Sequence, residues 1–361
     1  MTNPIPHIWN MAAYQLADMR VAKDSRLISM AQNESLRVPS ALAINAFGSI
    51  SDQLELYPDP DWTELRQSIA HVHRVNVDDV LCGAGSMELI AALGHAFLEP
   101  GDEVLTTEYV YAFIKTVTQF TQANIVTTLE PGHTVSIDKL IEAISKNTKM
   151  VFIANPGNPT GTRIMTDDLL RLRTALPDNV MLVIDEAYGE FSDHLDERLF
   201  DLAQNTNTVI LRTFSKAYGL AGMRVGWGVF PRKILPHTRK LLNPNNVSVA
   251  AQKMAAAAML DQAYMQETCQ ITARLRDQFI DHARSLGIIV QDSHTNFVLL
   301  ELNDEKEADE LDQFLRDKGI LMRAMRGYGL GHCLRATIIN QTDLEFVMEA
   351  LSNWRAGKDA N

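Results

Sequence analysis

Five short apolar runs recur through the middle of the chain, and they leave few folds open. DEVLTTEY (102–109), ANIVTTLE (123–130), KMVFIAN (149–155), NVMLVIDEAY (179–188) and NTVILRTFSK (207–216) are rich in Val, Ile and Leu with little polar alternation. A strand with one wet face alternates apolar and polar residues, whereas a strand covered on both faces does not. Between the runs lie amphipathic stretches of helical period, such as SMELIAALGHAFL (86–98) and TDDLLRLRTAL (166–176). Strand–helix alternation of this kind predicts an α/β fold with an open, mostly parallel sheet covered by helices.

Beyond NPNNVSV (243–249) the pattern changes. One long helical stretch from Ala250 to Gly287 is followed by strand-like HTNFVLLEL, helical ADELDQFLRDKG, strand-like ILMRAM and CLRATII, and a closing helix TDLEFVMEALSNW. This predicts a small α+β unit over 251–361 beside a large domain over 45–250, with residues 1–44 as an arm against the small unit or the site. At 361 residues the chain can bury two such cores.

Net charge narrows the partners. A formal charge of −12 argues against nucleic acid, which is bound by excess Lys and Arg. No apolar run reaches the roughly 18 residues of a membrane span, and the first residues lack the build of a signal peptide. Cys82, Cys269 and Cys333 are far apart and without metal-ligand spacing, so a reducing, cytoplasmic compartment and no metal are expected.

In open α/β sheets ligands sit outside the carboxyl ends of the strands, and here three strand ends carry unusual polar clusters. KMVFIAN runs into a turn with Asn155 and Asn158. NVMLVID delivers Asp185 and Glu186, then Tyr188; a carboxylate at a buried strand end needs a pairing partner. NTVILRTFSKAYGLAGMRVGWG brings Thr213, Ser215, Lys216 and Arg224. Upstream, VLCGAGSMELIAAL is a glycine turn opening a helix, which presents free backbone N–H groups to an anion. It has neither a dinucleotide GxGxxG nor a Walker lysine. An amine for an aldehyde, a carboxylate for a ring nitrogen, a phenol and amide for a ring oxygen, and hydroxyls, arginine and helix N-terminus for a phosphate are together what pyridoxal phosphate requires.

NPGNPTG, DEAY and SKAYGLAGMRVGW resemble the signatures of fold-type-I pyridoxal-phosphate aminotransferases, and the likeness covers nearly the whole chain. Within that fold it is similar to the histidinol-phosphate aminotransferase group, through RLISMAQNES, YPDP, HTNFVLLEL, GILMRAM and CLRATI. The resemblance implies that Lys216 condenses with the cofactor aldehyde, Asp185 pairs with the ring nitrogen, and Tyr188 and Asn158 contact the ring oxygen. Tyr111 would stack on the ring. Gly85, Ser86, Met87, Thr213, Ser215 and Arg224 would hold the phosphate, with Tyr57 reaching in from a second subunit of a homodimer. Arg335 would clamp the substrate carboxylate, and Tyr14, Asn33 and Arg323 would meet the rest of the substrate.

The sequence departs from that pattern at several points. Met87 stands where the family usually has an acidic residue, LRVPS follows the NES segment, and the segment before Tyr111 lacks a proline. Ile114 replaces a tyrosine, and Ile339-Asn340-Gln341 replaces a Gly-Thr turn. Glutamate with 2-oxoglutarate is the expected amino donor pair, and a histidinol-phosphate type of substrate is favoured over aromatic or other neutral amino acids. A decarboxylase or lyase on the same scaffold would carry the same cofactor motifs. A binding protein would have lost the lysine, which is present.

Overall fold

The computed structural model describes residues 2–13, 18, 20, 26–51, 54–192 and 198–359. The apolar runs become strands of one seven-stranded sheet: β2 (Glu103–Thr107), β3 (Asn124–Thr128), β4 (Thr148–Ala154), β5 (Met181–Asp185) and β6 (Thr208–Thr213), completed by β1 (Val80–Gly83) and β7 (Gly226–Val229). Their order is β1-β7-β6-β5-β4-β2-β3. β7 runs antiparallel to both neighbours and the rest pair parallel. Every residue of β5 and β6 is buried, as expected of strands covered on both faces. The flanking strands β1 and β7 are short and carry glycines, so no apolar run announces them.

A second sheet, β10-β11-β9-β8, is built from β8 (Ile289–Val290), β9 (Phe297–Glu301), β10 (Arg323–Met325) and β11 (Leu330–Thr337), with all its pairings antiparallel. Two stretches expected as single elements are divided. The long helical stretch breaks at Asp261 (φ −94°, ψ 61°), whose side chain accepts a hydrogen bond from the Tyr264 N–H and restarts the helix as Gln262–Ser285. An aspartate that caps offers the backbone an alternative to continuing the previous helix. ILMRAM likewise serves two sheets: Ile320–Leu321 pairs in parallel with Ile28–Ser29, and Arg323–Met325 becomes β10.

The apolar interior forms two main clusters. The larger runs through the seven-stranded sheet and includes Ala251, Met254, Met259 and Met265. The second begins at Leu275 and takes in Ile28 and Met30. Within the Gln262–Ser285 helix Met265 packs in the first cluster and Leu275 in the second, and Phe297 further on packs in the first. The arm from Ile28 belongs to the small unit, where the Thr337 N–H also donates to the Met30 carbonyl at 2.8 Å. Among the described residues no helix is long and apolar enough to cross a membrane.

Candidate active site

The three polar clusters lie on adjacent strands. β5 sits between β4 and β6, with Asp185 in register with Ala154 on one side and Leu211 on the other. Side chains alternate along a strand, which separates the two carboxylates that the sequence places side by side. Asp185 faces a cleft beyond the strand ends. Glu186 turns away and accepts from Arg212 Nε and Nη2 at 2.9 and 2.8 Å, both side chains buried. Removing one partner of such a pair costs about 3–5 kcal/mol, so Glu186 has a structural task. The asparagines divide similarly. Asn155 braces its own turn, accepting from the Ile164 N–H at 2.7 Å and donating to its carbonyl. Asn158 reaches the cleft.

The cleft has a volume of about 470 Å³. Of the residues singled out from the sequence, Asn33, Ser86, Met87, Tyr111, Asn158, Asp185, Tyr188, Thr213, Ser215, Lys216, Arg224, Arg323 and Arg335 line it. Gly85 stands behind this wall. It adopts φ +83°, and a Cβ there would lie 2.6 Å from Arg224 Nη2, so only glycine lets the guanidinium approach. Gly226 on β7 is as tightly placed, 2.3 Å from the Ser86 backbone nitrogen by the same measure. Tyr57 is 87% exposed and lies outside this chain's cleft. Tyr14 falls outside the described residues.

At one end of the cleft is a cradle suited to an oxyanion. Thr213 Oγ1 donates to Ser215 Oγ at 3.0 Å, and Arg224 Nη1 donates to the same Ser215 oxygen at 3.3 Å. The Ser86–Phe97 helix begins beside them, directing its positive end and first-turn N–H groups the same way. At the other end, Arg335 is buried. It donates through Nη1 to Asn158 Oδ1 and through Nη2 to the Ala31 carbonyl at 3.0 Å.

Between these ends stand the groups able to move protons. Lys216 Nζ donates to the carbonyls of Asn33 at 2.9 Å and Gln32 at 3.2 Å. Loss of water around the amine, then the nearby Arg335 charge, bring it down to about 7, so much of it is neutral at neutral pH. Burial pushes the Asp185 carboxyl up to about 7 against the Ala187 N–H that donates to Oδ1 at 3.1 Å. A carboxylate held this high is short of a cationic partner. Burial also raises the Tyr188 hydroxyl to about 12, opposed by Arg335 and by the Asn33 amide, which donates to Tyr188 Oη at 2.8 Å. Perturbed amine, acid and phenol in one cleft are the physical mark of a reaction centre.

Comparison with known proteins places this geometry. The family profile "Aminotransferase class I and II" matches residues 25–351. The chain belongs to the class I and II aminotransferases. It is a transaminase by family, acting on small amino-acid and keto-acid substrates. Relatives named histidinol-phosphate aminotransferase include one from Rhodopseudomonas palustris (strain BisA53), 37% identical over 99% of this chain and 100% of the relative. Another from Ruegeria sp. (strain TM1040) is 36% identical over 98% of each. Among solved structures, histidinol-phosphate aminotransferase from Sinorhizobium meliloti, crystallised with pyridoxal 5′-phosphate, superposes with a TM-score of 0.89 at 24% identity, over 99% of this chain and 98% of that one. A Thermus thermophilus aspartate aminotransferase mutant gives 0.84 at 19%, covering 98% and 100%. These structural likenesses confirm the fold-type-I architecture of this aminotransferase.

The motifs assign no role to several residues at the cleft. Gln32 and Tyr328 line the cleft, and Thr337 and Asn296 stand behind it on Asn33. Gln32, Asn296 and Thr337 lie inside the RLISMAQNES, HTNFVLLEL and CLRATI segments, which were the available signal, and Tyr328 is the polar residue of the RGYG turn.

Proposed function

We propose that this aminotransferase holds pyridoxal 5′-phosphate in the cleft, attached through Lys216, and exchanges amino groups between glutamate/2-oxoglutarate and a substrate of the histidinol-phosphate type. The donor set fits that cofactor. The hydroxyls of Thr213 and Ser215, Arg224 and the first turn at Ser86 would take its phosphate, and Gly85 leaves the room they need. Asp185, short of a cation, would hold its ring nitrogen; Tyr188 and Asn158 would hold its ring oxygen, and Tyr111 would cover its ring. Met87 would serve through its backbone.

When bound, the cofactor supplies an electron-withdrawing ring that stabilises negative charge at the substrate's α-carbon. The protein supplies position and protons. Arg335 binds the α-carboxylate as a planar fork. Lys216 Nζ would remove the α-proton and return a proton to the product side. Asn33, Arg323 and Tyr14 are assigned to the remainder of the substrate. Tyr57, exposed in the single chain, is assigned to the phosphate cradle of a second copy, which makes the working unit a homodimer. The exposed apolar side chains of Leu42, Ile44, Phe47, Leu54 and Leu56 near it in sequence favour that assembly. We also assign a large cofactor-binding domain and a small C-terminal domain, and a cytoplasmic setting in keeping with three unpaired thiols.

The observation that carries the proposal is the convergence of Lys216, Asp185 and Tyr188 from two adjacent strand ends beside an oxyanion cradle. The substrate type rests on full-length relatives at 36–37% identity. Comparing turnover of histidinol phosphate and phenylalanine with 2-oxoglutarate tests it. Preference for histidinol phosphate is expected; faster turnover of phenylalanine, or turnover of neither, overturns the substrate assignment.

A further inference from the structure

Asn33 is held in the cleft wall by hydrogen bonds through its backbone and its side chain. It is 1% exposed and held at φ +55°. Its N–H donates to Thr337 Oγ1 at 2.9 Å, and the Thr337 hydroxyl donates back to Asn33 Oδ1 at 3.1 Å. Its Nδ2 donates to Tyr188 Oη at 2.8 Å. Its carbonyl accepts from Lys216 Nζ and, at 3.2 Å, from Asn296 Nδ2, which also donates to the Glu34 carbonyl at 3.0 Å. Thr337 ends β11 and Asn296 precedes β9; both are buried, and neither lines the cleft.

The direction of these bonds has a chemical consequence. A hydroxyl has one proton to give, and Thr337 gives it to Asn33 Oδ1. Thr337 Oγ1 already accepts from the Asn33 N–H, and a reversed amide would strand its buried proton, which favours the amide with its oxygen toward Thr337 and its NH₂ toward Tyr188. Tyr188 Oη is thereby an acceptor from Asn33, and its own proton stays free to point into the cleft. With the amide reversed, Oδ1 would take the Tyr188 proton and the cleft would lose a donor.

We propose that Thr337 and Asn296 are positioning residues: Thr337 sets the polarity of the Thr337–Asn33–Tyr188 hydrogen-bond chain and Asn296 holds the Asn33 backbone in place, so that the small unit keeps Tyr188 a donor toward the cofactor's ring oxygen. This rests on the assignment of pyridoxal phosphate to the cleft. Thr337 and Asn296 are not catalytic, because neither lines the cleft and each reaches it only by holding neighbouring residues of the arm.

The test is a pH titration of the visible absorbance of holoenzyme loaded with pyridoxal 5′-phosphate. A donor from Tyr188 stabilises the deprotonated ring oxygen, so losing it raises the midpoint. Thr337→Val removes the hydroxyl at nearly constant volume and is expected to shift the midpoint upward by about half a unit to one unit. Thr337→Ser keeps the hydroxyl and returns the midpoint to that of the wild type. In a Tyr188→Phe background the effect of Thr337→Val disappears, since the chain then has no end to act on. Should Thr337→Val fail to fold, Thr337→Ala removes the same hydroxyl with a smaller side chain and gives the same upward shift. An unshifted midpoint in the folded variant, or a shift that persists in the Tyr188→Phe background, overturns the proposal while leaving the cofactor assignment intact. A wild-type protein that acquires no visible band with the cofactor overturns both.

Discussion

Asp185→Asn separates two consequences of one buried carboxyl. In the cofactor-free protein, burial pushes this group from 3.8 to about 7. At about 1.4 kcal/mol per pH unit, holding it ionised costs the folded state about 4 kcal/mol. The folded chain binds this proton more tightly than the unfolded chain does. The associated stability is therefore fully present below about pH 4 and is lost as pH rises through 7. Asparagine keeps the shape and the acceptor for the Ala187 N–H but carries no charge. Thermal unfolding of the cofactor-free proteins should show the variant more stable by about 2–4 kcal/mol at pH 8, the lower figure allowing for water in the cleft, with the difference vanishing near pH 4. With cofactor and substrates present the order reverses in function: loss of the partner for a ring cation should lower kcat by about 10²–10³. A variant no more stable than wild type at pH 8, or one that keeps wild-type kcat, would refute the assignment of Asp185 as a charge waiting for a cation.

Other perturbations follow from the same geometry. Arg335→Lys keeps the charge but not the fork that bonds Asn158 and Ala31. Steady-state kinetics should show kcat/KM for glutamate falling about a hundredfold, mostly in KM. Gly85→Ala meets both a positive φ and Arg224 Nη2 at 2.6 Å. It should destabilise the fold by about 1–2 kcal/mol and weaken cofactor binding measured by equilibrium titration. For Tyr57, mixing inactive Tyr57→Ala and Lys216→Ala proteins should restore up to about a quarter of wild-type activity, because mixed dimers regain one complete site in two. No recovery on mixing would show that Tyr57 does not act across subunits.

The seven-stranded sheet is largely legible in the sequence because buried parallel strands carry continuous apolar runs. The same rule misses Val80–Gly83 and Gly226–Val229. There the backbone must lie close to the Ser86 turn, and glycines replace the apolar side chains that would have marked them. The cleft-lining residues at the strand ends are legible because each follows its strand by a few positions, so the local order of residues already fixes their neighbourhood. The Asp185 and Glu186 pair shows the limit. Both stand at one strand end, and only the alternation of side chains, with Arg212 waiting on the far face, separates a charge for the cleft from a buried ion pair. Thr337 and Asn296 stand inside the CLRATI and HTNFVLLEL segments, but their contacts were hidden for a different reason. They meet Asn33 from 304 and 263 residues away, and no local pattern records a contact made by folding the arm onto the small unit.

The most direct measurement is a single half-reaction. Holoenzyme is mixed with histidinol phosphate or glutamate alone, without an acceptor, while its visible absorbance and the products are followed. Transamination through Lys216 predicts bleaching of the band in proportion to enzyme, one keto product per site, and full recovery on adding 2-oxoglutarate, with none of this in Lys216→Ala. A band that stays unchanged with every donor, or that changes with release of carbon dioxide or an elimination product, would contradict it.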